Sequence, residues 1–161
     1  MTITHYLTQP WRNVLWWGVY RWIRRSFPGV PGLTTQQLAT WLREGPAPTP
    51  VLLDVRSAEE FAVSHLPGAR HCPDLAAFQA MALEGLQPMV AYCSVGYRSA
   101  RLVAQLQAQG FTQVYNLEGS IFQWANDHRP LSGQGHPTPG VHPYNALWGM
   151  LLKPGLGRPP T

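Results

Sequence analysis

The chain has 161 residues, a formal net charge of +4 at pH 7 and only two cysteines, Cys72 and Cys93. A chain of this length can form one domain with its own hydrophobic core. Two cysteines without a CxxC pair exclude a disulfide scaffold and a structural zinc site of the usual spacing. We therefore expect a cytoplasmic protein with no metal and no cofactor, and the opening residues lack the features of a secretory signal.

The positive charge lies at the two ends of the chain. Residues 1–30 contain four arginines and no acid, whereas residues 31–130 contain six arginines and eight acids. Lys153 and Arg158 add positive charge near the C-terminus. Because the central part is mildly acidic, we do not expect a basic surface for nucleic acid.

Residues 10–27 predict an imperfect amphipathic helix rich in tryptophan and arginine. The run from Val14 to Ile23 is too short to span a bilayer and contains Arg21. Two interpretations stay open: the helix packs on its own domain or a second copy, or it lies at a membrane surface, which favours tryptophan and arginine. At about 100° per residue, one broad face collects Trp11, Leu15, Trp16, Val19, Tyr20, Trp22 and Ile23.

Strands and helices alternate between residues 31 and 131. Apolar runs such as VLLDV and MVAY are typical of strands buried on both faces. Capping boxes of Thr34 with Gln37 and of Ser57 with Glu60 mark two helix starts. The alternation predicts an α/β fold, an open doubly wound parallel sheet of about five strands flanked by helices. The predicted strands are 51–55, 69–72, 89–92 and 113–116, and the predicted helices are 34–45, 57–66, 75–84, 98–109 and 120–127.

Beyond residue 131 the chain becomes rich in glycine and proline. We expect an extended arm with one helical turn in NALWGMLL, whose apolar side chains dock on the domain or on the N-terminal helix. The predicted organisation is thus an N-terminal helix and linker (1–30), one α/β domain (31–131) and a C-terminal arm (132–161).

Cys93 stands where the strand 89–92 ends, shortly before the next predicted helix. Such a turn gathers unpaired backbone N–H groups at the positive end of a helix dipole, and both lower the pKa of a thiol. Cys93 is therefore a candidate nucleophile. Asp54 lies at the same end of another strand, where open parallel sheets bind ligands.

Two segments, LLDVRSAEEFAVSHLPGARH and AYCSVGYRSARLVAQLQAQGFTQVYNLEGSIFQW, resemble a single-domain rhodanese over about residues 33–131. Rhodaneses are sulfurtransferases. The resemblance implies a rhodanese-like fold and a persulfide mechanism, in which the Cys93 thiolate takes a sulfane sulfur from an anionic donor such as thiosulfate. It then passes this sulfur to a thiophilic acceptor such as a thiol or cyanide. Membrane contact or self-association through residues 11–27 is a further interpretation.

The loop after Cys93 fits this chemistry. Its successive N–H groups can surround an anion at a helix start, and Gly96 lets the backbone curl without a Cβ. Arg98 adds a permanent charge that favours a thiolate and an anionic donor, and Ser99 is expected to contribute its hydroxyl or N–H. The expected substrate-binding residues are Ser94, Val95, Gly96, Tyr97, Arg98 and Ser99, with Val95 and Tyr97 at the rim.

Other polar residues are assigned supporting roles. Asp54 is expected to hold loop N–H groups or an arginine, and Arg56 to pair with Glu60 across the first helical turn. Ser120 stands where the rhodanese family often has a second glycine, and we expect this difference to affect only the start of the last helix. Cys72 is expected to face the core rather than to resolve a disulfide with Cys93.

Two other functions compete with the sulfurtransferase. Related phosphatases have one more residue between the cysteine and the arginine, whereas here only four separate Cys93 from Arg98, which favours sulfur over phosphate. A non-catalytic rhodanese-like module for binding or membrane scaffolding would explain the tryptophan-rich helix and the apolar arm, but the set of Cys93, Gly96 and Arg98 favours an enzyme. The excess charge of the terminal segments is expected to lie away from this loop.

Overall fold

The computed structural model describes residues 10–83, 87–133 and 136–158. Glu84, the predicted end of the third helix of the domain, lies outside the described residues. The helices are α1 (Pro10–Ser26), α2 (Thr35–Glu44), α3 (Ala58–Val63), α4 (Leu75–Ala80), α5 (Tyr97–Ala108), α6 (Ser120–Asn126) and α7 (Ala146–Gly149). The strands are β1 (Gly32–Leu33), β2 (Val51–Asp54), β3 (Arg70–His71), β4 (Met89–Tyr92), β5 (Val114–Leu117), β6 (Ser132–Gly133) and β7 (His136–Pro137).

The five strands β1 to β5 form one parallel sheet in the order β1-β5-β4-β2-β3. This confirms the predicted open parallel α/β sheet. The central pair aligns Val51 with Met89 and Asp54 with Tyr92, so β2 and β4 end at the same edge of the sheet. The residues that follow these two strands therefore meet at that edge, where the loop that begins at Cys93 lies.

Local sequence signals set the helix starts. The Thr34 hydroxyl accepts the N–H of Gln37, whose side chain accepts the N–H of Thr34 in return. Ser57 and Glu60 form the same reciprocal pair at α3. These two capping boxes match the prediction, because each satisfies two backbone donors that the helix itself leaves unpaired.

Hydrophobic side chains fill both faces of the sheet. One face packs on α4 and α5 through residues such as Phe78, Val103 and Leu106. The opposite face packs on α2 and α6, and the same cluster includes Trp16 of α1 and Val141 of the arm. The two terminal segments thus share a core with the domain.

Helix α1 packs on the domain with only half of its predicted apolar face. Trp16 and Ile23 are buried, and Arg24 donates to both carboxylate oxygens of Glu118, at 2.9 and 3.2 Å. Trp11 remains 43% exposed on the other half. The face is divided because a helix lying on a flat surface buries only the residues directly beneath it.

The C-terminal arm folds back onto α6. The side chain of Asn126 donates to Leu151 O at 2.8 Å and accepts from Lys153 N at 2.7 Å. Leu151 and Leu152 are buried beside it. The predicted helical turn is α7, whose start is capped by the Asn145 side chain accepting from Trp148 N at 2.9 Å. These contacts fix the position of Trp148.

Candidate active site

Strand β4 places Cys93 at the bottom of a tight loop. All four residues of β4 are buried, and Cys93 itself is 1% exposed. The chain then turns through Gly96, which has φ +117° and forms the N-cap of α5. A positive φ of this size strongly favours glycine, so the loop geometry depends on this residue.

The Cys93 sulfur receives hydrogen bonds from its own loop. Gly96 N donates to Sγ at 3.1 Å, and the Ser99 hydroxyl lies 3.6 Å from Sγ. Asn116 of β5 holds both donors in place, since its Oδ1 accepts from Ser99 at 2.6 Å and its Nδ2 donates to Gly96 O at 3.0 Å. The neighbouring strand thereby supports the loop. Asn116 was not identified from the sequence, where it looked like an ordinary strand residue.

The electrostatic surroundings of Cys93 favour the thiolate. Burial alone raises the pKa of a thiol, but the positive charge of Arg98 and the hydrogen bonds from Ser99 and Gly96 outweigh it. The pKa of Cys93 is therefore lowered from its ordinary value. A larger share of the Cys93 side chain is therefore ionised at neutral pH than of an isolated thiol.

Arg98 is held by a carboxylate on the other side of the loop. Its two terminal nitrogens each donate to one oxygen of Glu60 at 2.9 Å. One of them also donates to the Ser94 hydroxyl at 2.9 Å, and that hydroxyl donates to Glu60 at 3.0 Å. Glu60 was predicted as a helix cap and as a partner of Arg56, whereas it caps α3 and orients Arg98.

Glu60 stays ionised although its side chain is only 4% exposed. Burial alone raises the pKa of a carboxyl group, but the hydrogen bonds from Arg98 and Ser57 N and the charges of Arg98 and Arg56 lower the pKa of Glu60 to about 2. A permanently charged partner keeps Arg98 in one orientation, because two parallel hydrogen bonds fix a guanidinium in a plane.

The predicted pair between Arg56 and Glu60 is wrong. Arg56 instead binds Asp54 through two side-chain hydrogen bonds of 2.6 and 2.9 Å, and it donates to Ser64 O at 2.6 Å. Residues two apart in extended chain project to the same side, which brings these two side chains together. Both are completely buried. Asp54 thus holds an arginine, one of its two predicted roles.

The expectation for Ser120 is also wrong. Its hydroxyl accepts the backbone N–H of Cys93 at 3.1 Å and donates to Leu117 O at 2.9 Å. Ser120 therefore contacts the backbone of Cys93 in addition to starting α6. Sequence alone did not show this contact, because it depends on α6 beginning directly beside the end of β4.

Aromatic side chains from both terminal segments stand over Cys93. Trp22 of α1 stacks on Tyr97 with ring centroids 4.4 Å apart, and it faces Trp148 of the arm at 6.3 Å. The ring of Tyr144 lies 4.9 Å from the Arg98 guanidinium. A cavity of about 170 Å³ lies between these groups and the loop. Its lining residues are Trp22, Cys93, Ser94, Val95, Tyr97, Arg98, Tyr144 and Trp148.

This arrangement corrects the expected position of the charged terminal segments. They lie beside the loop, not away from it, because α1 packs directly over Gly96: a Cβ on this glycine would be 3.5 Å from Ile23. Cys72, by contrast, is a buried free thiol that donates to Asp74 O at 3.7 Å. Burial chiefly, with the nearby Asp74 charge, raises the pKa of Cys72 to about 11. Within residues 10–83, 87–133 and 136–158, no three His, Cys, Asp or Glu side chains form a group suited to a metal.

Comparison with known proteins gives a consistent result. The family model for the Rhodanese-like domain matches residues 34–127. The chain is 30% identical over 88 residues to a protein named thiosulfate sulfurtransferase GlpE from Pseudomonas fluorescens, covering 54% of this chain and 81% of the relative. It is 32% identical over 101 residues to the probable adenylyltransferase/sulfurtransferase MoeZ of Mycobacterium tuberculosis, covering 61% of this chain but 25% of that protein. The solved structure of the Rhodanese-like domain from the Anabaena sp Alr3790 protein has a TM-score of 0.59 and 25% identity, covering 72% of this chain and 90% of that domain.

Proposed function

This chain belongs to the rhodanese-like domain family, and we propose that it is a sulfurtransferase that carries the transferred sulfur as a persulfide on Cys93. The observation that carries this proposal is the thiol's setting: Cys93 Sγ accepts Gly96 N–H at 3.1 Å, and the charge of Arg98 helps to lower its pKa. The relative named thiosulfate sulfurtransferase, 30% identical over 88 residues, supports the same chemistry.

The first half-reaction needs only a thiolate and an anionic donor. The Cys93 thiolate attacks the outer sulfur of thiosulfate, the S–S bond of the donor breaks, and its electron pair leaves with sulfite. In the second half-reaction a thiol or cyanide acceptor attacks the outer sulfur of the persulfide, and the electron pair returns to Cys93. Electrons balance without an external oxidant or reductant.

The residues around Cys93 have distinct roles in this scheme. The backbone N–H groups of Gly96 and Ser99 stabilise negative charge on sulfur, first on the thiolate and then on the persulfide. Arg98 supplies the positive charge that attracts the anionic donor. Glu60 and Asn116 do not touch the sulfur and act as positioning residues, because they hold Arg98 and the loop donors respectively.

Intact-protein mass spectrometry after incubation with thiosulfate tests the proposal. We expect a mass gain of one sulfur atom that is lost in Cys93→Ala and removed by cyanide. Cys72→Ala is the matched control, since it deletes the other free thiol, and it should load normally. If several sulfur donors leave the mass unchanged, the chain is a binding module. If it gains no sulfur but hydrolyses p-nitrophenyl phosphate in a parallel assay, it is a phosphatase.

We further propose that α1 attaches the protein to an anionic membrane surface. Its outward side carries the exposed apolar residues Trp11, Val14 and Trp17 next to the exposed Arg21 and Arg25, a combination that suits the headgroup region. None of the described helices is both long and apolar enough to cross a bilayer, so the attachment would be peripheral.

Flotation with vesicles containing phosphatidylserine tests this attachment. The protein should float with these vesicles and less with pure phosphatidylcholine, and the double variant Trp11→Ser/Trp17→Ser should not float. Gln105→Ser, at an exposed position of α5 on the domain, is the control. Equal recovery from both vesicle types contradicts the proposal, and self-association detected by sedimentation without vesicle binding assigns the face to a second copy.

A further inference from the structure

Three of the eight residues that line the cavity over Cys93 lie outside the family domain. The family match covers residues 34–127, whereas Trp22 precedes it and Tyr144 and Trp148 follow it. Of the four aromatic residues that line the cavity, only Tyr97 lies within the match. The terminal segments therefore add a feature that the loop alone does not have.

The cavity combines two kinds of surface. Its lining includes Cys93 and Arg98, a thiol and a positively charged residue that suit a negatively charged sulfur group. Its walls are flat aromatic rings: Trp22 stacks on Tyr97 with planes 10° apart, and Trp148 is 17° from the plane of Trp22. Inorganic thiosulfate has no apolar part and would leave these walls in contact with water. A donor that carries both an anionic head and an apolar body satisfies both surfaces.

The volume indicates the size of the apolar body. The cavity measures about 170 Å³, and an apolar protein cavity of about 150 Å³ is large enough to bind benzene. Aromatic pairs are favourable when ring centroids are about 4.5–7 Å apart. A single ring therefore fits beside Trp22 or Trp148, with its charged substituent directed at the sulfur.

The walls are held firmly enough to select such a group. Trp148 sits on α7, which is anchored through the two hydrogen bonds of Asn126 to the arm. Tyr144 adopts φ +64°, a left-handed conformation that bulky residues seldom take, and this turn places its ring over Arg98. Trp22 is held by its stacking on Tyr97, with ring centroids 4.4 Å apart.

On this basis, and resting on the proposed function, we infer that the site selects organic thiosulfonates with a ring-sized apolar group over small sulfur donors. The step keeps the same balance: the Cys93 thiolate attacks the terminal sulfur of R–SO₂–S⁻, the bond between the two sulfurs breaks, and the sulfinate R–SO₂⁻ leaves with the electron pair. Trp22, Tyr144 and Trp148 are then specificity-determining residues.

The rate of Cys93 persulfide formation, followed by intact mass, tests the inference with two donors. Benzenethiosulfonate and methanethiosulfonate share the anionic head and differ in the apolar group. The ratio of their second-order rate constants is compared between variants, because the intrinsic reactivities of the two donors cancel in that comparison. Trp148→Ala should lower the benzene-to-methane ratio about tenfold, since a contact of this size is worth one to two decades of selectivity. Tyr144→Ala, at a position 49% exposed and thus tolerant of substitution, should lower it in the same direction.

Trp17→Ala is the matched control, because Trp17 lies on the same helix as Trp22 but is 64% exposed and does not line the cavity. It should leave the ratio unchanged. An unchanged ratio in both Trp148→Ala and Tyr144→Ala overturns the inference while the persulfide proposal stands. Failure of thiosulfate and of both thiosulfonates to load Cys93 overturns the two together.

Discussion

Replacing Glu60 with glutamine tests how the loop arginine is held. The substitution removes the negative charge but keeps a side chain of the same shape, so the cap on α3 can persist. Glu60 has a pKa of about 2 against an ordinary value of 4.5. At about 1.4 kcal/mol for each tenfold change, this corresponds to roughly 3 kcal/mol of stability from the charged form. Because the Arg98 side chain is 32% exposed, solvent screens part of the interaction, and we expect Glu60→Gln to lose about 2 kcal/mol at neutral pH.

The stabilising effect of Glu60 should depend on pH, because only its ionised form binds Arg98 as a carboxylate. A carboxyl group whose pKa is lowered in the folded protein stabilises it fully above the unfolded value, near 4.5, and loses that contribution as the pH falls to about 2. The difference in the free energy of unfolding between wild type and Glu60→Gln should therefore be largest above pH 4.5 and become smaller at lower pH. Carboxylates common to both proteins cancel in this difference.

Urea unfolding followed by tryptophan fluorescence at neutral pH and at about pH 3 measures the gap. Glu59→Gln is the control, because Glu59 is an exposed neighbour in the same helical turn, and it should change stability by less than about 0.5 kcal/mol. A gap that is the same at both pH values, or equal losses in the two variants, would refute the reasoning about Glu60.

Three further predictions concern the surroundings of Cys93. Gly96→Ala should destabilise the fold by about 1–2 kcal/mol, because alanine resists φ +117°. It should also raise the pKa of Cys93, measured by the pH dependence of its alkylation. An unchanged alkylation profile would contradict the hydrogen bond from Gly96 N to the sulfur. Arg56→Met should cost about 3–5 kcal/mol in urea unfolding, since it leaves the Asp54 carboxylate buried without its partner, and Asp54→Asn/Arg56→Met should cost less than the two single changes added. Ser120→Ala should lower the free energy of unfolding by about 1–3 kcal/mol, because it leaves the N–H of Cys93 without its partner. Ser120→Gly should lower it less, because glycine accepts φ +48°. Equal losses in the two variants would contradict this.

Local patterns in the sequence predicted the sheet and the loop. Apolar runs such as MVAY (89–92) and the Ser57–Glu60 capping box act over a few residues, so they can be recognised without knowledge of the rest of the fold. The strand β4 and the start of α3 were accordingly predicted at or near their observed positions. Strand β1 was missed because it has a single apolar side chain, that of Leu33, directly after a segment rich in proline and glycine.

The contacts that complete the candidate site could not be predicted in the same way. Glu60 can cap α3 and also bind Arg98 only because β2 and β4 end side by side, which is a property of the sheet. Trp22 and Trp148 looked like general apolar residues, since nothing in a local pattern says that two terminal segments meet above one loop. The count of charges along the chain placed the terminal segments away from the loop for the same reason. Helix α1 is distant from Cys93 in sequence but adjacent to it in space.

The separation of these contacts along the chain has a consequence for biosynthesis. Arg24 of α1 precedes its partner Glu118 by 94 residues, which at roughly 5–20 residues per second places on the order of ten seconds between the two on a ribosome. During this interval the residues against which Trp16 and Ile23 pack are incomplete, so these two side chains cannot yet be buried as they are in the folded protein. The loop after Cys93 can form once α5 and β5 are complete, but Trp148 can contact Trp22 above it only after the arm has been synthesised.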